Sequence, residues 1–173
     1  MIVKACRGRT PSLHPSVRLA ENVVVTGDVT IGADTNLWYG AVLRGDGGPM
    51  VIGRECSIQD NVCFHENPRL GDGVVVGHNA VIHGCTLEDH CLIGMGAVVL
   101  DGAVIGRGSM VGAGCVVTKG TVVPPFSLVL GMPGKVVKTG LTHQEDDIIE
   151  SAREYVRLGQ EELIAWGESE EFS

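Results

Sequence analysis

Three of the six histidines, His65, His78 and His83, combine the residue type and the spacing that metal chemistry needs. His65 and His83 stand 18 residues apart, with His78 between them. Imidazole is the commonest protein ligand for transition metals. Three of them leave a fourth coordination position for water, the pattern of catalytic rather than structural zinc. Whether the three converge depends on the elements that carry them. His14, His90 and His143 lack such spacing and read as surface or satisfied histidines.

Those elements show as a period of six. Aliphatic or aromatic residues recur from Leu13 through Leu19, Val25, Ile31 and Leu37 to Leu43. The frame resumes from Ile52 through Ile58, Phe64, Leu70 and Val76 to Ile82, and again from Leu87 to Val129. Three extra residues around Gly45–Met50 make the first break, and one residue is missing near Cys85. Two positions before each aliphatic residue lies a small or β-branched one, such as Val23, Ala41, Ala80 or Ala97. Cys56, Cys85, Cys91 and Cys115 share that slot, which makes them small buried hydrophobes. Gly32, Gly53, Gly77, Gly94, Gly106 and Gly112 follow the aliphatic residue. Corners with unusual backbone angles are expected there. A fixed short period marks a solenoid. Each hexapeptide supplies one short strand and a corner, and three close an 18-residue coil around a triangular prism. The fold class is an all-β solenoid over about residues 11–136, followed by a C-terminal α-helix over about 142–166, in one domain spanning 1–173. Known hexapeptide-repeat proteins, which this pattern resembles, are left-handed parallel β-helices and usually trimers. The handedness and the trimer come from that resemblance.

Coil arithmetic then places the candidate residues. His65 and His83 occupy the same slot on adjacent coils, about 4.8 Å apart as neighbouring strands are. Counting back one coil and the insertion reaches Arg44, so Arg44, His65 and His83 form one column. Counting back from His78 reaches Asp60, with Gln59 beside it. Five extended residues from His78 to His83 span about 16 Å, too far for one ion with bonds of about 2.0–2.1 Å. If all three histidines bind one metal, His78 comes from a neighbouring subunit, and a threefold assembly repeats the site three times. The other reading is stacked interface histidines without metal. An Arg44–Asp60 bridge would repeat the pairing one coil lower, or be a surface ion pair of little weight.

Composition excludes other classes. The net charge of −8 argues against a nucleic-acid backbone or an anionic membrane as partner, because both need a basic footprint. The N-terminus has no apolar signal segment and no run of 18 apolar residues exists, so a soluble, cytoplasmic protein is expected. None of the six cysteines forms a CxxC pair. Aromatics are only 4%, so the core is built from aliphatic layers. Thr142 and Glu145 read as a capping box. Ile148, Ile149, Ala152, Tyr155, Val156, Leu163 and Ile164 give the helix an apolar stripe to lay on the prism. Glu168–Ser173 reads as a frayed tail.

The chain resembles the γ-class carbonic anhydrases. The matching segments are Leu37-Trp-Tyr-Gly-Ala-Val-Leu-Arg-Gly-Asp46, Ile58-Gln-Asp-Asn-Val-Cys-Phe-His65, Gly77-His-Asn-Ala-Val-Ile-His-Gly-Cys85 and Leu130-Gly-Met-Pro-Gly-Lys-Val-Val137. The resemblance implies a homotrimer with zinc, or alternatively iron or cobalt, on His65, His83 and a neighbour's His78. It implies interface and salt-bridge roles for Arg44, Asp46 and Asp60. Gln59 would hydrogen-bond the metal-bound solvent, and Tyr155 would lie near the site or pack on the prism. The implied activity is that of a lyase: reversible hydration of carbon dioxide to bicarbonate by hydroxide that the metal makes available near neutral pH. Trp38, Val62 or Phe64 could wall an apolar pocket for carbon dioxide, or simply pack.

The chain departs from the best-known active members at the proton exit. They carry a glutamate after the aspartate of the Arg-x-Asp motif, where this chain has Gly47, and an acidic loop between the first two ligands. Glu66 is the nearest candidate shuttle; otherwise it is a solvated corner. The alternatives are a zinc-dependent thioesterase or other hydrolase, a hexapeptide acyltransferase, and a non-catalytic metal-binding trimeric scaffold.

Overall fold

The six-residue period folds as coils of three short strands, each hydrogen-bonded to the strand one coil away. In the computed structural model, which describes residues 1–168, these coils stack into a left-handed parallel β-solenoid of about seven turns with one C-terminal helix. Of the tail expected over Glu168–Ser173, residues 169–173 lie outside the described residues.

The first side of the solenoid carries the ladder Val24, Val42, Cys63, Val81, Val98 and Val116 on its outer surface. The second carries Thr30, Val51, Arg69, Thr86, Val104 and Val122. The third carries Arg18, Asn36, Ser57, Val75, Leu92, Met110 and Leu128. Side chains alternate across each strand, so the period-six residues point inward. Leu19, Leu37, Leu43, Ile58, Phe64, Ile82 and Ile93 are fully buried. Cys56, Cys85, Cys91 and Cys115 are buried free thiols in the same core, as their slot requires. Burial pushes the first three up to about 12, which keeps them protonated and inert.

The glycines after the aliphatic residues serve another purpose than expected. None of the six has a positive φ; that conformation falls two residues later, at Asp34, Glu55, Asn79, Gly96, Gly108 and Gly114. Close approach of the next coil is what demands glycine. A Cβ on Gly32 would lie 2.7 Å from the Gly53 carbonyl carbon, and one on Gly94 would lie 2.5 Å from the Ala113 nitrogen.

The solenoid also extends beyond the expected 11–136. Ile2–Lys4 pairs in parallel with Val24–Thr26. At the far end, Leu128–Gly131 and Gly134–Lys138 form an antiparallel hairpin.

Helix α1 spans His143–Glu162 and covers the third side. It buries Ile148 and Ala152 against Val75. Gly159 lets it approach Asn36, where a Cβ would come within 3.1 Å. The expected capping box does not form. Thr142 has helical dihedrals and makes no side-chain cap hydrogen bond. The Glu145 carboxylate is drawn instead to His90 Nδ1 and Arg107 Nε, both at 2.7 Å. The helix also ends before residue 166: Ile164–Ala165 pairs antiparallel with Arg18–Leu19, which buries Leu163 and Ala165 and leaves Ile164 exposed.

Candidate metal centre

His65 and His83 close the strands Cys63–His65 and Val81–His83, which pair residue for residue, so one histidine stands directly over the other. Their rings meet edge-on with centroids 5.3 Å apart, and His65 Nδ1 lies 3.4 Å from His83 Nε2. Arg44 completes the column, its Nη2 2.7 Å from His65 Nε2. Asp46 reaches the same His65 nitrogen at 3.0 Å and the Arg44 Nε at 3.2 Å. That nitrogen either donates to Asp46 or accepts from Arg44, so the three groups share one proton position. Desolvation works to raise the Asp46 carboxyl, but the His65 hydrogen bond and the Arg44 charge hold it below the ordinary carboxylate value.

His78 belongs to the other corner of the first side. Its Nδ1 lies 2.7 Å from Asp60 Oδ2, and Asp60 sits one coil below as the spacing requires. His83 has a matching partner one coil above: its Nδ1 lies 3.0 Å from Asp101 Oδ1. Desolvation opposes ionisation of Asp101, but the hydrogen bond from His83, a backbone hydrogen bond and nearby charges together outweigh it and hold the carboxyl below its ordinary value. Both carboxylates fix a ring tautomer and leave Nε2 as the donor atom, the usual outer-shell arrangement of ligating histidines. Sequence reasoning missed Asp101, although counting one coil forward from His83 finds it. It also missed Arg7, in a turn outside the repeat, whose Nη1 donates to the Asp46 backbone oxygen at 3.2 Å.

Gln59 and Tyr155 come together. Tyr155 on α1 packs edge-on against Trp38, ring centroids 5.8 Å apart, and lines the same hollow as Gln59. Burial, then the Asp60 and Glu154 charges, push the Tyr155 hydroxyl above its ordinary range. Gln59 is 6% exposed. The two line a hollow of about 260 Å³ with His78, and its apolar wall is Val75, Leu92, Ile93 and Met95. Val62 and Phe64 are core residues instead, pointed into the prism, while Trp38, in the same slot as Gln59, is buried beneath α1 against Tyr155. Glu66 leans over Gly47: a Cβ there would lie 3.1 Å from Glu66 Oε2, and Oε1 is 3.7 Å from His65 Nε2. A small residue at 47 thus leaves the Glu66 carboxylate room beside His65 and Asp46.

Among the described residues of one chain, no group of three or more His, Cys, Asp or Glu is gathered to hold a metal. His65 and His83 meet; His78 stands with Asp60 at the other corner. Between the two corners runs the outer ladder Val24, Val42, Cys63, Val81, Val98 and Val116, none of it fully buried.

The family model for the bacterial transferase hexapeptide (six repeats) matches residues 84–119. A carbonic anhydrase of Geobacillus kaustophilus is 48% identical over 161 residues, which covers 89% of this chain and 87% of that one. The mitochondrial gamma carbonic anhydrase 2 of Arabidopsis thaliana is 38% identical over 162 residues, 88% of this chain and 58% of its own. A solved hexapeptide transferase family protein from Anaplasma phagocytophilum superposes with a TM-score of 0.90 at 34% identity, over 94% of this chain and 98% of that one.

Proposed function

The chain belongs to the γ-carbonic anhydrase family, and from that premise we propose that it catalyses the reversible hydration of carbon dioxide at a metal shared between subunits of a trimer. His65 and His83 of one subunit and His78 of the next are the proposed ligands, and zinc the first choice of metal, with iron or cobalt as alternatives. The observation that carries this reading is the facing pair of ring nitrogens 3.4 Å apart. Two ligands on a tetrahedral ion with bonds of about 2.0–2.1 Å stand about 3.3 Å apart, so the donor set fits. The half-buried valine ladder between the two corners, with Cys63 exposed in it, supports a second copy packing there, which would bring the His78 corner of one chain to the His65–His83 corner of another.

When bound, such a metal lowers the pKa of water toward about 7 and supplies hydroxide at neutral pH. The chain's own residues do the rest. Asp60 and Asp101 hold His78 and His83 by Nδ1, and Asp46 with Arg44 holds His65. The Gln59 amide, in the hollow it shares with Tyr155, orients solvent beside His78. Val75, Leu92, Ile93 and Met95 offer carbon dioxide an apolar wall and keep water from crowding that side. Glu66, on the open rim over Gly47, is a carboxylate beside the column from which protons can leave to solvent.

The test is 18O exchange between carbon dioxide and water on zinc-, iron- and cobalt-loaded protein, with metal content measured in parallel. Exchange above a His65→Ala control is expected, with bound metal lost in that control. The match to the transferase hexapeptide model favours acyl transfer as the second reading. Turnover of acetyl-coenzyme A with an amine acceptor, unchanged by His65→Ala, would select it.

A further inference from the structure

The acids and bases of this chain are unevenly placed. No Asp or Glu occurs between Asp101 and Glu145, and three of the four lysines, Lys119, Lys135 and Lys138, fall in that stretch. The fold gathers them at one end of the solenoid. Lys119 lies in the corner between the last strands of the first two sides, Val116–Val117 and Val122–Val123. Lys135 and Lys138 lie on the closing hairpin, opposite Leu130 and Leu128. The hairpin turns back over the last coil, since a Cβ on Gly134 would lie 3.2 Å from the Val116 oxygen. This end also concentrates exposed aliphatic side chains: Met132 is 75% exposed, Val122 70% and Val137 50%, with Leu130 and Val136 beside them. A chain with a net charge of −8 therefore carries a locally basic, apolar cap.

We propose that this cap docks on an anionic phospholipid surface. Aliphatic side chains that project from a turn, flanked by lysines, suit the headgroup boundary, where apolar insertion and attraction to anionic lipid act together. Pairing of two copies end to end is disfavoured, because a twofold axis sets lysine against lysine. The geometry favours a lipid surface over an acidic protein for a further reason, which rests on the trimer proposed above. Parallel subunits present three caps in one plane, and multivalent contact with a flat surface multiplies weak attachments. The net charge that spoke against a membrane averages over this segregation.

Flotation of the intact, metal-loaded protein with phosphatidylcholine vesicles, with and without phosphatidylserine, tests the proposal. Binding is expected to the phosphatidylserine vesicles alone and to weaken with salt. Each lysine is worth about five-fold in partition, so the Lys119→Gln, Lys135→Gln, Lys138→Gln triple variant is expected to lose roughly a hundred-fold. Met132→Ser with Val137→Ser is expected to weaken binding without changing its salt dependence. Equal binding to neutral vesicles overturns the proposal. So does retention on immobilised polyglutamate with no flotation, which selects an acidic protein. Sedimentation of the same sample separates the two readings. A trimer that does not float refutes this proposal alone, a monomer that floats refutes the trimer alone, and a monomer that does not float refutes both.

Discussion

Two histidine clusters on this solenoid differ in how one chain satisfies them. His90 gives Nδ1 to Glu145, Glu145 also takes the Arg107 Nε, and the cluster pins α1 to the prism with side chains only 22% and 17% exposed for His90 and Glu145. Every charge there has its counter-charge inside the chain. His65 and His83 instead turn ring nitrogens toward each other with no carboxylate between them. Their carboxylates, Asp46 and Asp101, grip other ring atoms and fix the rings in place. Two neutral imidazoles satisfy each other with one hydrogen bond at most, while a shared cation satisfies both. His90, paired with Glu145 and facing no second histidine ring, thus reads as structural. A facing pair held from behind by carboxylates reads as a ligand set.

The largest effect that can break this contrast is subunit complementation. His65→Ala and His78→Ala are each expected to abolish tight metal binding, whereas His90→Ala is expected to leave it unchanged. When the two inactive variants are unfolded together and reassembled, each mixed trimer regains one intact site, because one chain supplies His65 and His83 and its neighbour supplies His78. Metal recovered in the mixture, and in neither variant alone, is the expected result by elemental analysis. No recovery in proven mixed trimers would place the three ligands in one chain and overturn the shared site.

A smaller effect is expected from the carboxylates behind the rings. Asp101→Asn keeps the shape but loses the charge that fixes the His83 tautomer. Metal affinity, read by competition with a chelating dye, is expected to fall by about 10–100-fold. Asp60→Asn should act similarly through His78. If Asp101→Asn leaves affinity unchanged, the 3.0 Å contact to His83 is a surface ion pair and the contrast drawn above loses half its basis.

The stacked histidines, the column of Arg44, and Asp60 beneath His78 were all legible in the sequence. A solenoid converts spacing into position, since 18 residues are one coil whatever the side chains are. Apart from Asp101, which one more coil of counting finds, most of what escaped the sequence lay where the repeat stops dictating geometry. The Arg7 turn precedes the repeat, and the closing hairpin follows it. Glu145 had two competing uses, and only the placement of Arg107 and His90 on neighbouring coils decides between them. The glycines after the aliphatic residues were visible, but their cause was not. Backbone approach between coils is a property of stacking, which a one-dimensional period does not display. The half-buried valine ladder between the histidine corners is a side that α1 does not cover, and the proposed shared site depends on it.

The smallest expected effects sharpen the structural half of the comparison. Glu145→Gln should leave metal affinity intact and lower stability by about 1–2 kcal/mol near neutral pH, because it weakens two charge-assisted hydrogen bonds. Desolvation raises the Glu145 carboxyl, but His90 and Arg107 more than offset it and hold it below its ordinary 4.5. A depressed carboxyl contributes stability that is fully present above its unfolded value and lost as pH falls through the folded one. The difference between wild type and Glu145→Gln, from urea midpoints, should therefore hold from neutral pH down to about 5 and shrink below about 4. Thr142→Ala is the control within the same helix end. Thr142 makes no cap hydrogen bond, so its loss should stay within about 0.5 kcal/mol, where a working cap would cost about 1 kcal/mol. If Thr142→Ala costs as much as Glu145→Gln, and the two losses do not add, the capping box forms in solution. Glu145 would then serve the helix rather than His90.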